Sequence, residues 1–73
     1  MTGWESLTDT ERATARLVAQ GLTNQQVADQ VYISTHTVAF HLRQVFRKLD
    51  IRSRVELARI AFEHDPPDEQ GPA

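Results

Sequence analysis

The chain has 73 residues, no cysteine and a net charge of −2 at neutral pH. A chain of this size holds one small domain with a thin core; without cysteine it holds neither a disulfide framework nor a thiolate zinc site, and a cytosolic origin is permitted. No apolar run approaches the ~20 residues that span a bilayer and the opening Met-Thr-Gly-Trp-Glu is not a signal peptide, so a soluble, cytoplasmic protein without a membrane partner is expected.

Residues 1–6 read as an N-terminal arm or linker. Thr8 followed three residues later by Glu11 is a capping box, and Gly21 is a left-handed terminator, so a first helix is predicted over about residues 9–20. Thr23 with Gln26 repeats the box, and Leu22 with Val27 has the spacing of a hydrophobic staple, which opens a second helix at about residues 24–30. Ser34 is a good N-cap, and Ile33 with Val38 repeats the staple, so a third helix begins there and runs over about residues 35–49. Asp50-Ile51-Arg52 is the next break. Ser53 with Glu56 makes a further capping box, and a fourth helix runs to about His64, where Pro66-Pro67 stops it. Residues 65–73 are polar and expected to be disordered. The prediction is an all-α, four-helix domain over residues 7–64. Its second and third helices are joined by about three residues and cannot lie in line, which is the layout of a helix-turn-helix that reads DNA.

The third helix has two distinct faces. At about 100° per residue, Leu42, Val45 and Leu49 fall within roughly 40° of Val38 and form a buried stripe. His36, Phe40, Arg43 and Arg47 fall roughly 140° to 200° away, on the side a major groove would meet. Ala39 and Gln44 flank that face, and Thr37 lies near the helix N-terminus, where free backbone N–H groups favour phosphate. Arg43, Phe40 and His36 are expected near base edges, with Thr37, Arg47, Lys48 and Arg52 on phosphates; Thr23, Ser34 and Thr35, at the starts of the two helices, complete the expected DNA-binding set. The acidic total does not oppose this. Between Ser34 and Arg54 stand Arg43, Arg47, Lys48, Arg52 and Arg54 against Asp50 alone, while Glu5, Asp9 and Glu11 gather near the start of the first helix and Asp65, Asp68 and Glu69 in the tail.

Taken together, Leu7-Thr8 with Glu11, Gly21-Leu22-Thr23-Asn24, Val27-Ala28, Ile33-Ser34, Thr37-Val38, His41, Lys48-Leu49 and Arg54 resemble, in register and over residues 7–62, the LuxR-type (GerE/FixJ/NarL-like) C-terminal DNA-binding domain. The resemblance implies a four-helix fold whose third helix enters the major groove and whose fourth helps form a dimer. Two departures stand out. Ala39 replaces a lysine that usually contacts DNA, so base preference does not carry over, and Thr14 and Ala15 replace large aliphatic residues, leaving volume that Trp4 and Phe46 are expected to fill. Gly3 and Trp4 resemble the junction before this domain in large multidomain regulators, so a C-terminal effector domain is expected rather than a small stand-alone GerE-like regulator.

The fourth helix is apolar on two sides, with Val55, Ala58 and Phe62 on one and Leu57, Ile60 and Ala61 on nearly the opposite. One side is expected to pack at home and the other to pair two copies on DNA, and the candidate dimer residues are Val55, Leu57, Ala58, Ile60, Ala61 and His64. His36 and His41 lie about 140° apart, too far around to share a metal; the family resemblance implies that His41 lies beside the buried stripe with a ring nitrogen bonded to a neighbour. Glu11 caps its helix, with pairing to Lys48 or Arg54 as an alternative role. No nucleophile–base arrangement or phosphate loop is present, so neither enzymatic activity, a metal, a cofactor nor a small-molecule ligand is expected. The expected partner is double-stranded DNA, with RNA polymerase left open. Two other readings stay open from sequence: a helical protein-interaction module with a basic face, and a sigma-factor-like promoter-recognition domain.

Overall fold

A computed structural model of the chain describes residues 3–64. Among these residues the elements are a 3₁₀ turn at Trp4–Ser6 and four α-helices, α1 (Asp9–Ala19), α2 (Asn24–Val31), α3 (Thr35–Leu49) and α4 (Arg54–His64). The expected disordered tail, residues 65–73, lies outside the described residues.

Local hydrogen bonds accompany all four starts, which fall where the sequence puts them. The Thr8 hydroxyl accepts from the Glu11 N–H at 3.1 Å while the Glu11 carboxylate accepts from the Thr8 N–H at 2.9 Å. Thr23 and Gln26 repeat this reciprocal pair at α2. At α3 the Ser34 hydroxyl accepts from the Thr37 N–H. The box expected at α4 forms by half: Ser53 accepts from the Glu56 N–H, but the Glu56 carboxylate reaches one residue further back, to the Arg52 N–H.

Three helix ends share one device. Gly21, Tyr32 and Asp50 stand in the left-handed region, with φ of 97°, 59° and 58°. In each case the next residue, Leu22, Ile33 or Ile51, donates its N–H five residues back, to Leu17, Ala28 or Phe46, and packs its side chain against the core. This is the Schellman arrangement, which satisfies a terminal carbonyl and pins the exit direction by an apolar contact. At Tyr32 and Asp50 a side chain occupies a backbone region that costs roughly 1–2 kcal/mol for an L-residue.

Helix α1 packs against all three others, and α3 also packs on α2. Ala15, Val27, Val38, Val45 and Leu57 are sealed at the centre, with Leu7, Val18, Ala28, Leu42 and Ala61 around them. Full burial of each Val or Leu stabilises the fold by about 1.5–3 kcal/mol. Residues 4–6, expected as part of an arm, instead belong to the domain. Trp4 is buried, its ring lies parallel to that of His64 at 5.8 Å, and the Gly3 N–H donates to the Lys48 carbonyl. Phe46 is partly buried in the same core. An indole at this position removes a large apolar area from water, so the turn closes over the domain rather than leading away from it.

Candidate nucleic-acid interface

Helix α3 carries the predicted face as drawn. Val38, Leu42 and Val45 are buried and Leu49 is half-buried, whereas His36, Phe40, Arg43 and Arg47 are exposed on the far side, with Ala39 beside them. Phe40 keeps 48% of its surface in solvent and touches the edge of His41, at 5.7 Å between ring centres. That edge contact, rather than the bond expected for a ring nitrogen, is the interaction of His41 among the described residues. Arg47 donates to the Gln44 side chain at 2.5 Å, so Gln44 orients a guanidinium on this face. Thr35 and Ser34 are exposed at the helix start, but the Thr37 N–H is already taken by Ser34, and the two hydroxyls lie 3.0 Å apart. Thr23 is similarly exposed and occupied by its cap.

Lys48 departs from the expected phosphate set. Its ammonium sits 2.7 Å from Glu11 Oε1 and 3.4 Å from the Ser6 carbonyl, joining α3 to α1 and to the N-terminal turn. An ammonium committed to a buried carboxylate is a structural partner, the alternative role noted for Glu11. Burial alone would raise the Glu11 pKa, but the hydrogen bond from Lys48, the backbone bond from Thr8 and the Lys48 charge outweigh it, so the carboxyl stays below its ordinary value.

The sequence missed a groove between the start of α2, the middle of α3 and the α3–α4 loop. Its lining brings Asn24, Arg43, Arg52 and Arg54 together above Leu42 and Phe46. Arg54 donates to Asn24 Oδ1 at 2.6 Å across thirty positions of chain. No local spacing signals such a pair.

Helix α4 is resolved into an inner and an outer face, which corrects the candidate dimer set. Leu57 and Ala61 are sealed in the domain's own core and Ile60 packs against it, so Leu57 and Ala61 have no surface to offer a partner. His64 is stacked on Trp4. The outer face consists of Val55, 71% exposed, with Phe62 and the half-buried Ala58. No group of three His, Asp or Glu side chains able to hold a metal is found among the described residues, and none of their helices is long and apolar enough to cross a membrane.

Comparison with known proteins places this geometry. The pattern of bacterial regulatory proteins of the luxR family matches residues 5–61. A Mycobacterium bovis protein named as an HTH-type transcriptional regulator is 45% identical over 65 residues, covering 89% of this chain and 7% of that protein. The nitrate/nitrite response regulator protein homolog of Haemophilus influenzae is 44% identical over 61 residues, covering 84% of this chain and 29% of that protein. The crystal structure of the response regulator ChrA of a heme-sensing two-component system superposes with a TM-score of 0.74 at 30% identity, over 84% of this chain and 30% of that one. The chain thus spans between 7% and 30% of the length of these relatives.

Proposed function

The chain belongs to the luxR family of bacterial regulatory proteins and is a DNA-binding helix-turn-helix domain of transcription regulators; from that premise we propose that α3 lies in the major groove of duplex DNA and that two copies pair through the outer face of α4. His36, Phe40 and Arg43 meet base edges, with Arg43 suited to a bidentate contact with guanine and Phe40 to a thymine methyl. Arg47, oriented by Gln44, and Arg52 hold the backbone, with Ser34, Thr35 and Thr37 near phosphates at the helix start and Ala39 leaving room beside them. The observation that carries this reading is the outward face of α3, where His36, Phe40, Arg43 and Arg47 are exposed opposite the sealed stripe and Arg43 and Arg47 make no ion pair among the described residues. Val55, Ala58 and Phe62 supply the apolar strip for pairing, and one short helix face buries less than a standard interface, so pairing is weak in free solution and strengthened on a two-site duplex.

Selection of bound sequences from a random duplex pool, followed by titration of the selected site at several salt concentrations, tests the reading. The expected result is an enriched motif with two half-sites and an affinity that falls as salt rises. Recovery of no motif, or binding independent of salt, refutes it.

A further inference from the structure

Three guanidinium groups line one groove without an acid to balance them. Arg43 and Arg52 make no side-chain hydrogen bond or ion pair among the described residues, and the side chain of Arg54 has one partner there, the neutral Asn24 amide. The acids nearest in the chain are Asp50 and Glu56, both exposed and neither in an ion pair among the described residues, and the Glu56 carboxylate is turned onto the Arg52 backbone N–H. Like charges gathered this way repel one another, and an anion bound between them removes that repulsion. Planar guanidiniums suit a phosphate in particular, since each offers two parallel N–H donors to two of its oxygens.

The groove borders the base-reading face, which it shares at Ala39 and Arg43, and its opposite wall lies off α3. Arg52 lies in the α3–α4 loop and Arg54 is the first residue of α4, so both stand off the outward face of α3, while Asn24 opens α2, the first helix of the helix-turn-helix. In such motifs that first helix crosses the sugar–phosphate backbone while the second enters the groove. The groove volume of about 370 Å³ equals that of about a dozen waters, room for a phosphodiester and its hydration.

We infer that this groove is the seat of one backbone phosphate of the bound duplex, gripped by Arg52 and by Arg54, which Asn24 holds in place. The inference rests on the DNA-binding reading and adds Arg54 and Asn24 to it. Asn24 acts as a positioning residue, fixing Arg54 at the groove wall.

Two variants test it, each checked first for helicity and cooperative unfolding. Arg54→Ala removes one grip. Asn24→Asp places a carboxylate where Arg54 already donates, which neutralises that guanidinium, and an acid at the first position of α2 favours the helix dipole, so the fold is retained. Each variant is titrated against the same duplex between about 50 and 200 mM salt, and against a set of duplexes in which single phosphates are replaced by methylphosphonate. The expected change in log–log salt slope is about 0.9 per domain, which is about 3.5-fold less loss of affinity across that salt range. Wild type should also lose affinity when one particular phosphate is neutralised, and the variants should not lose it again at that position. A folded Arg54→Ala protein with the wild-type slope and the wild-type methylphosphonate profile overturns the inference. If Arg54→Ala does not fold, Asn24→Asp decides, and an unchanged slope there overturns it equally. A wild-type protein that binds no duplex overturns the DNA-binding reading together with this site, whereas normal wild-type binding with unaffected variants removes the site alone.

Discussion

Lys48→Met separates the two roles that the sequence leaves to this residue. The substitution keeps an unbranched apolar stem of similar reach and deletes the ammonium that lies 2.7 Å from Glu11 Oε1. At that separation and an effective dielectric near 20, the gross attraction is about 6 kcal/mol, most of it offset by taking both charges out of water. The Glu11 side chain is 8% exposed and that of Lys48 30%, so the pair falls between a buried bridge, whose breakage costs about 3–5 kcal/mol, and a surface one, worth about 0.2–1 kcal/mol. A loss of about 2 kcal/mol is expected. Against a total of about 4–11 kcal/mol for a domain of this length, that is a marked fall in the urea midpoint at constant slope.

The pH dependence gives a second signature. Because the folded Glu11 pKa is lowered, its contribution is complete above the ordinary carboxylate pKa, near 4.3, and is lost as pH falls through the lower folded value. The gap between Lys48→Met and wild type should therefore be widest at neutral pH and shrink in that acid window. Glu11→Gln in the Lys48→Met background should recover part of the loss, since the uncompensated charge is gone and an amide oxygen still accepts from Thr8. Lys48→Met with wild-type stability at neutral pH and a DNA salt slope reduced by about 0.9 would refute this reasoning and return Lys48 to the phosphate contacts.

Arg43→Ala should weaken binding to the selected site by about 1–3 kcal/mol and to unrelated duplex by less, in competition titrations; an equal loss on both makes Arg43 a backbone contact. Phe40→Ala should leave the unfolding midpoint nearly unchanged and flatten the preference for thymine over uracil at one site position, and an unfolded variant with unaltered preference places the ring in the structure. In α4, Val55→Asp should stay folded and lose cooperative binding to a two-site duplex, whereas Leu57→Ala, at a fully buried position, should cost about 2–5 kcal/mol in denaturant unfolding; full cooperativity in folded Val55→Asp ends the pairing proposal. Tyr32→Gly relieves the left-handed backbone of a residue 92% exposed and should raise the thermal midpoint by the equivalent of about 0.5–1 kcal/mol, so a drop would mean the ring is held by something unseen in its exposure.

The helix starts and the two faces of α3 were legible in the chain because their causes are local. A threonine or serine and the residue three places on meet within one turn wherever the rest of the chain goes, and Val38, Leu42 and Val45 share a side through the pitch of the helix alone. The stops at Tyr32 and Asp50 were less visible, since only Gly21 announces a left-handed residue by type. The apolar Ile33 and Ile51 directly after them were the available signal, and that signal gains meaning only once a core exists for them to enter. Tertiary structure alone decided the rest. Which side of α4 is sealed depends on where α1 lies against it, and an apolar pattern on both sides reads the same from either. Lys48 meets Glu11, Trp4 meets His64 and Arg54 meets Asn24 across long stretches of chain, contacts whose loop-closure cost is met only by the packing of all four helices together.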